Sequence, residues 1–231
     1  TAELSSVAAA CHKAGVKMVP QGGNTGMVGG AVPHEAGDEL VVSLARMKAI
    51  GPVDPDGMTI TVEAGAVLAD VQQAAADAGF LFPLSLGAQG SAQIGGVLST
   101  NAGGTTTLRY GNARELCLGL EVVLADGTVL PLLRSLRKDN TGYALRQIFI
   151  GAEGTLGFIS RATLRVFPGL KTRLVLFASL AAPQAALSLL RRFRAEDEPA
   201  LQAFEYMAGN AVDLATTLLP GVSLPLAGRA D

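Results

Sequence analysis

The sequence predicts an α+β chain, with short strands and amphipathic helices interleaved around a heavily buried core. Three observations carry that expectation. The 231 residues are 49% hydrophobic and only 16% charged, with a mean hydropathy of +0.36, which excludes a disordered chain and one needing disulfides or metal to hold its core. Apolar spacing switches repeatedly between the helical period and the alternating period of strands. Two apolar runs, LCLGLEVVLA and TVLPLL, flank Asp126-Gly127, a strong local hairpin signal.

The elements follow in order. Leu4, Val7, Ala8 and Cys11 recur at helical spacing and stop at Gly15, a natural left-handed cap, so a helix opens the chain. VKMVP (Val16 to Pro20) and ELVVSL (Glu39 to Leu44) read as strands either side of a glycine-rich loop, and MTITVEAG (Met58 to Gly65) alternates as another. A helix is expected from Ala66 to Ala78, then the hairpin, a short helix near Tyr143 to Ile150, and a strand from about Gly157 to Phe167. Beyond Pro168-Gly169 glycines thin out: all but three of the 28 precede residue 170. The pattern there becomes strand (Leu174 to Leu180), helix (Pro183 to Ala195), strand (Leu201 to Tyr206) and helix (Asn210 to Leu219). That shift places a domain boundary at 169/170, giving units 1–169 and 170–231, the second with too few strands to be a whole domain. Both ends read as cut, the first inside a helix.

Composition narrows the partners. With 18 Lys plus Arg against 20 Asp plus Glu the net charge is −2, and no basic, aromatic-rich patch exists to cover a nucleic-acid backbone. The 31 charge-free residues from Ala78 to Leu108 are interrupted by Pro83, Gln89, Gln93, Asn101 and several glycines, so they predict no membrane span. Cys11 and Cys117 stand alone, without a CxxC or a His at ligand spacing, which predicts no metal site and a reducing, cytoplasmic compartment.

The glycines point to chemistry. QGGNTGMVGG (Gln21 to Gly30) places five glycines between two strands, where consecutive N–H groups can form an anion-binding nest for a phosphate or pyrophosphate. No two glycines stand in a G-x-G relation and no GK[ST] follows, so neither the dinucleotide fingerprint nor a Walker loop is present. A second segment, GAQGSAQIGGVLSTNAGG (Gly87 to Gly104), offers small residues for close backbone approach and Ser91, Ser99, Thr100 and Asn101 as hydrogen-bonding handles. A third, GAEGTLG (Gly151 to Gly157), opens a strand.

These segments, with RYGNARELCLGLEVVLADG and LRKDNTGYALRQIFIGAEGTLGFIS between and after them, resemble the FAD-linked oxidase domain of the vanillyl-alcohol-oxidase superfamily. Within it they are most similar to the D-2-hydroxyglutarate and D-lactate dehydrogenase branch, to which glycolate-oxidase-like proteins are related. The resemblance runs along essentially the whole chain in four ordered motifs. It implies a PCMH-type FAD-binding domain of two α+β subdomains, followed by the start of a ferredoxin-like cap that LQAFEYMAGNAVDL would open.

The resemblance also implies a site. The loop Gln21, Gly22, Gly23, Asn24, Thr25, Gly26, Met27, Gly29 and Gly30 would hold the pyrophosphate of a non-covalent FAD. Pro83, Gly87, Ala88, Ser91, Ile94, Gly95 and Gly96, with Ser99, Thr100, Asn101, Ala102 and Gly103, would run past pyrophosphate and isoalloxazine. Glu153, Gly154, Gly157 and Ile159 would lie along the adenosine. The implied reaction is oxidation of a small 2-hydroxy acid, with electrons leaving to an unidentified acceptor other than NAD and a homodimer as the assembly. The implied catalytic groups fall in the cap, none of them in residues 1–231. Ala144 stands where the branch carries an acidic residue. A non-catalytic flavin module and another flavin oxidase of the superfamily are the alternatives.

Other polar residues read plainly. His12 and His34 are expected at the surface, Asp54 and Asp56 in a turn, and Asp139 or Asn140 as a helix cap beside Lys138. Arg109 and Tyr110 either flank the flavin or close a loop.

Overall fold

The computed structural model describes residues 1–223 and 226. Helix α1 (Ala2–Ala14) buries Leu4, Ala8 and Cys11 on one face and ends at Gly15, whose φ of 69° lets the Val16 N–H reach back to the Cys11 carbonyl at 2.9 Å. Strand β1 (Lys17–Gln21) pairs in parallel with β2 (Glu39–Ser43), Lys17 opposite Glu39 and Gln21 opposite Ser43. The glycine loop and the exposed stretch after it form the crossover between these two strands.

A second sheet holds five strands: β3 (Ile50–Asp54), β4 (Thr59–Glu63), β6 (Cys117–Val123), β7 (Val129–Leu132) and β8 (Phe158–Arg165). Their order is β3-β4-β8-β6-β7, and every neighbouring pair is antiparallel. Strand β8, the last in sequence, lies at the centre, with Val62 opposite Ala162 and Ala162 opposite Leu120. Ile60, Val62, Leu120, Val122, Ala162 and Leu164 are buried and belong to one continuous core. Each of these side chains but that of Ala162 contributes about 1.5–3 kcal/mol on full burial. Helices α2 (Leu68–Asp77) and α3 (Ile94–Ser99) join this core through Leu68, Val71, Ala75, Ile94, Val97 and Leu98. A short antiparallel pair, β5 (Phe80–Leu81) with β9 (Phe167–Pro168), closes the unit.

The hairpin forms around Asp126-Gly127 as expected. Gly127 N–H donates to Leu124 O at 3.0 Å, Leu124 N–H to Thr128 O at 2.8 Å, and Gly127 takes φ 88°. Single-turn helices α4 (Thr107–Tyr110), α5 (Ala113–Leu116) and α6 (Arg146–Phe149) punctuate the rest, α5 held by a capping box between Asn112 and Glu115. Strand β3 was not expected from the sequence. It is an edge strand in which Pro52 needs no ladder donor.

The chain divides into two compact units: Thr1–Thr106 with Tyr110–Leu170, and Thr107–Arg109 with the residues from Lys171 onward. In the second unit α7 (Pro183–Asp197) and α8 (Gly209–Leu218) form where helices are expected, with a 3₁₀ turn at Glu198–Ala200. The two strands expected at 174–180 and 201–206 do not form. Both runs are β-prone, but among the described residues no neighbour supplies a ladder, and Leu174 and Val175 remain 83% and 81% exposed.

Candidate functional site

The three glycine segments, distant in sequence, meet in the first unit. A Cβ built on Gly22 would stand 3.6 Å from the Gly96 nitrogen and from the Gln93 side chain, and one on Gly23 would press against the Ser91 carbonyl carbon at 2.9 Å. The start of the first loop therefore rests on the second segment, and at Gly23 at a distance only glycine permits. The third segment docks on both. Gly154, at φ 79°, packs on the Pro20 ring, Gly30 faces the Glu153 carboxylate, and the N–H groups of Gly151 and Glu153 donate to the carbonyls of Leu98 and Ser99 at 3.0 and 2.9 Å.

Local backbone conformation marks the same places. Four described non-glycine residues have positive φ, and three of them fall one in each segment: Asn24 at 50°, Asn101 at 48° and Glu153 at 52°. Asparagine tolerates this left-handed region, and glutamate is held there only by surroundings that over-determine it. Asn101 is fixed through its Oδ1, which accepts the Arg114 N–H at 3.0 Å.

The loop is a set of unused donors. None of the N–H groups from Gly22 to Gly30 donates to another described residue, and neither does that of Gly96. The Gln21 side chain spans the loop's base, donating to the Ala31 carbonyl at 2.9 Å. Beside it, the Oε1 of Gln93 is buried without a partner, a costly state for an acceptor that nothing else satisfies. Cβ atoms on Gly26, Gly29, Gly87, Gly90 and Gly96 would all meet open space. Free N–H donors, an orphaned amide oxygen and glycines with open space at their Cβ positions together fit a phosphate-bearing planar cofactor: backbone donors hold anions, and missing Cβ atoms admit a ring. Each hydrogen bond from such a donor to a charged group is worth about 1.5–3 kcal/mol.

The expected contact residues divide accordingly. Thr25, Gly26, Met27 and Gly29 are exposed, with Met27 fully so. Ile94, Gly95 and Ile159 are buried in the core, where Gly95 packs against Ala64, and Pro83 is buried with its carbonyl accepting the Thr106 hydroxyl. The Ala88 carbonyl accepts the N–H of Ser91 at 2.9 Å, the Thr100 hydroxyl bonds back to Gly96 O at 3.0 Å, and the Ala102 carbonyl takes the Ala113 N–H. A Cβ on Gly157 would stand 2.8 Å from the Val123 carbonyl oxygen. The buried residues among these can offer a ligand only their remaining backbone groups.

Two long-range partners were missed in the sequence. Gln93 lies inside the second segment but reads as an ordinary polar residue until its burial is seen. Arg114 carries no local signal beyond the capping box around it. Its guanidinium nevertheless donates to the Gln147 carbonyl at 2.7 Å, to Gln147 Oε1 at 2.9 Å and to the Ile150 carbonyl, where the third segment begins.

The remaining candidates take structural places. His12 and His34 are exposed. Asp54 caps its own turn, accepting the N–H groups of Asp56 and Gly57. Asp139 does not cap a helix: α6 starts at Arg146, and Asp139 instead accepts the Thr141 N–H at 3.0 Å and Arg134 Nη1 at 2.8 Å. The Thr141 hydroxyl and N–H, reinforced by Arg134, hold its carboxyl below the usual range. Tyr110 is buried edge-on against Phe167, centroids 4.7 Å apart, so it closes the core. Burial pushes the Cys117 thiol up to about 12. Among the described residues no cluster of His, Cys, Asp or Glu could hold a metal ion, and no helix is long and apolar enough to cross a membrane.

Residues 1–132 match the family described as FAD binding domain. A mitochondrial D-2-hydroxyglutarate dehydrogenase of Bos taurus is 44% identical over 226 residues, covering 98% of this chain and 41% of its own. The Arabidopsis thaliana protein of the same name is 40% identical over 231 residues, covering 100% of this chain and 41% of its own. A D-2-hydroxyglutarate–pyruvate transhydrogenase of Saccharomyces cerevisiae is 38% identical over 226 residues, 98% of this chain and 45% of its own. The chain thus spans about two fifths of the length of these relatives. Among solved structures, an alkyldihydroxyacetonephosphate synthase superposes with a TM-score of 0.69 at 24% identity, over 84% of this chain and 35% of its own, a likeness of fold. The cytoplasmic expectation is corrected by these relatives, since the cattle and Arabidopsis proteins are both named as mitochondrial. Unpaired cysteines separate reducing from oxidising compartments and do not tell one reducing compartment from another.

Proposed function

The chain belongs to the FAD binding domain family, and on that premise we propose that it is the flavin-holding part of a dehydrogenase that oxidises a D-2-hydroxy acid to the 2-oxo acid. D-2-hydroxyglutarate is the foremost substrate and D-lactate the next. The observation that carries the proposal is the mutual docking of Gly22–Gly30, Gly87–Gly104 and Gly151–Gly157 beside the unused N–H donors of Gly22 to Gly30 and of Gly96. Similarity to D-2-hydroxyglutarate dehydrogenases along nearly the whole chain supports the substrate class.

In this reading the N–H groups of Gly22 to Gly30 and of Gly96 neutralise the pyrophosphate, the second segment carries the ring, and Glu153, Gly154, Gly157 and Ile159 border the adenosine. When bound, FAD supplies a two-electron acceptor, so the Cα hydrogen leaves the hydroxy acid as a hydride equivalent while the hydroxyl proton passes to a base. The cation for the substrate carboxylate and that base belong to the rest of the cap, beyond the division proposed at residue 169/170. The compact unit ending at Leu170 supports that division. The electrons then pass to an acceptor other than NAD, and the whole protein forms a homodimer.

The experiment is purification of the full-length protein, followed by a panel of D- and L-2-hydroxy acids with an artificial dye as acceptor. Yellow protein that releases FAD and reduces the dye with D-2-hydroxyglutarate or D-lactate supports the proposal. Colourless or FMN-loaded protein refutes the flavin assignment. FAD-loaded protein inert across the panel refutes the dehydrogenase and leaves a binding module. Residues 1–231 alone should not turn over.

A further inference from the structure

Arg114 occupies a position that neither its sequence context nor the FAD assignment explains. Its backbone N–H ends on Asn101 Oδ1 at 3.0 Å, holding the left-handed residue near the close of the second segment. Its guanidinium ends on the carbonyls of Gln147 and Ile150 and on Gln147 Oε1, and a Cβ on Gly151 would lie 3.1 Å from Nη2 and 3.5 Å from the Asn101 Cβ. One residue therefore joins the two segments: its backbone N–H holds the left-handed Asn101, and its guanidinium holds the carbonyls of Gln147 and Ile150 that lead into the left-handed Gly151. Gly151 has φ 82° and Glu153 φ 52°. The adjoining backbone bonds, Gly151 N–H to Leu98 O and Glu153 N–H to Ser99 O, run across the same seam.

We infer that Arg114 is a positioning residue for the cofactor: it sets the spacing of the second and third segments without touching the ligand. The inference rests on the flavin reading above. A planar guanidinium is needed because it donates in two directions at once to carbonyls three residues apart in the chain, and an ammonium offers one point charge. No carboxylate pairs with it in the ion pairs of the described residues, so its charge is spent on carbonyl dipoles, and its geometry rather than its charge makes the joint.

The test uses the full-length protein with Arg114→Met and Arg114→Lys, and Arg134→Met as a comparison. The last breaks the Arg134–Asp139 pair at 2.8 Å, away from the seam. The readouts are the FAD dissociation constant, the absorbance and fluorescence of the bound flavin, and thermal melting of the apoprotein. Both Arg114 substitutions should weaken FAD by about tenfold or more, the scale of one charge-assisted hydrogen bond, and should change the bound-flavin spectrum. Arg134→Met should leave affinity and spectrum unchanged. If Arg114→Met fails to fold, Asn101→Gly removes the acceptor of the Arg114 backbone N–H, the other half of the joint, while keeping the left-handed backbone, and should produce a spectral change in milder form. FAD affinity within twofold and an unaltered spectrum in the Arg114 variants, whatever their melting temperature, would make Arg114 a simple staple and overturn the inference alone. Absence of FAD from the unsubstituted protein would overturn the flavin reading and this one together.

Discussion

Gly23 and Gly26 are three residues apart in one loop, and they separate folding from binding. A side chain on Gly23 has no room: its Cβ would stand 2.9 Å from the Ser91 carbonyl carbon and 3.2 Å from the Ala92 Cα, both backbone atoms that cannot swing away. Overpacking of this kind costs about 1–3 kcal/mol, so Gly23→Ala should lower the melting temperature of the apoprotein. Gly26 has nothing within 4 Å of its Cβ position and does not need left-handed φ, so Gly26→Val should leave the apoprotein's stability nearly unchanged. The same valine projects where a phosphate would sit against the N–H groups. Displacing two backbone donors at about 1.5–3 kcal/mol each is a loss of roughly 10²–10⁴-fold in FAD affinity, enough to abolish retention through gel filtration. The assay pairs thermal melting of apoprotein with FAD titration for both variants. A Gly26→Val protein that melts like the parent and binds FAD like the parent would refute a phosphate nest and leave the loop a plain crossover.

Acid precipitation of flavin-loaded protein should leave a colourless pellet, because the loop reads Asn24 where a tether would need a nucleophile and both histidines are exposed and lie outside the loop; a yellow, fluorescent pellet after washing would point to His34. Cys117 binds its proton more tightly folded than unfolded, its thiol standing at about 12 against about 8.5 in an open chain. Its contribution to stability is therefore complete below about pH 8.5 and is lost as pH rises from there towards 12. Cys117→Ala should flatten that alkaline decline in urea midpoints, and native Cys117 should resist iodoacetamide at pH 8 until denaturant is added. Gly119→Ala should destabilise the β6–β7 edge by about 1–3 kcal/mol, since a methyl there would meet the carbonyl oxygens of Arg134 and Leu132 at 2.5 and 3.0 Å; an unchanged midpoint would mean that the edge yields freely.

Local chemistry was legible wherever a residue's neighbours in sequence are also its partners in space. Gly15 as a helix end, Asp126-Gly127 as a turn and the alternation of Thr59–Glu63 were read directly because hydrogen bonds over a few residues, or a single buried face, decide them. Strand β3 escaped because Gly51 and Pro52 spoil its pattern, and only its edge position makes that composition tolerable. The runs at 174–180 and 201–206 misled in the opposite sense, since β-propensity describes fitness for a pleated surface and a ladder must still be supplied. At the site, the glycine segments announced themselves, but their mutual docking depends on contacts across scores of residues. Gln93 and Arg114 have meaning only through such contacts.

The central place of β8 has a consequence for biosynthesis. Strands β4 and β6 both pair with it and not with each other, so the hairpins β3–β4 and β6–β7 each present a bare edge until Arg165, the last residue of β8, has been made. At about 5–20 residues per second, the roughly one hundred residues between Glu63 and Arg165 keep the first of those edges waiting for on the order of 5–20 s while the ribosome works. Edge strands left open are templates for pairing with other chains. Stalling before β8 has left the ribosome should therefore raise aggregation of the nascent chain, relative to stalling after it has emerged.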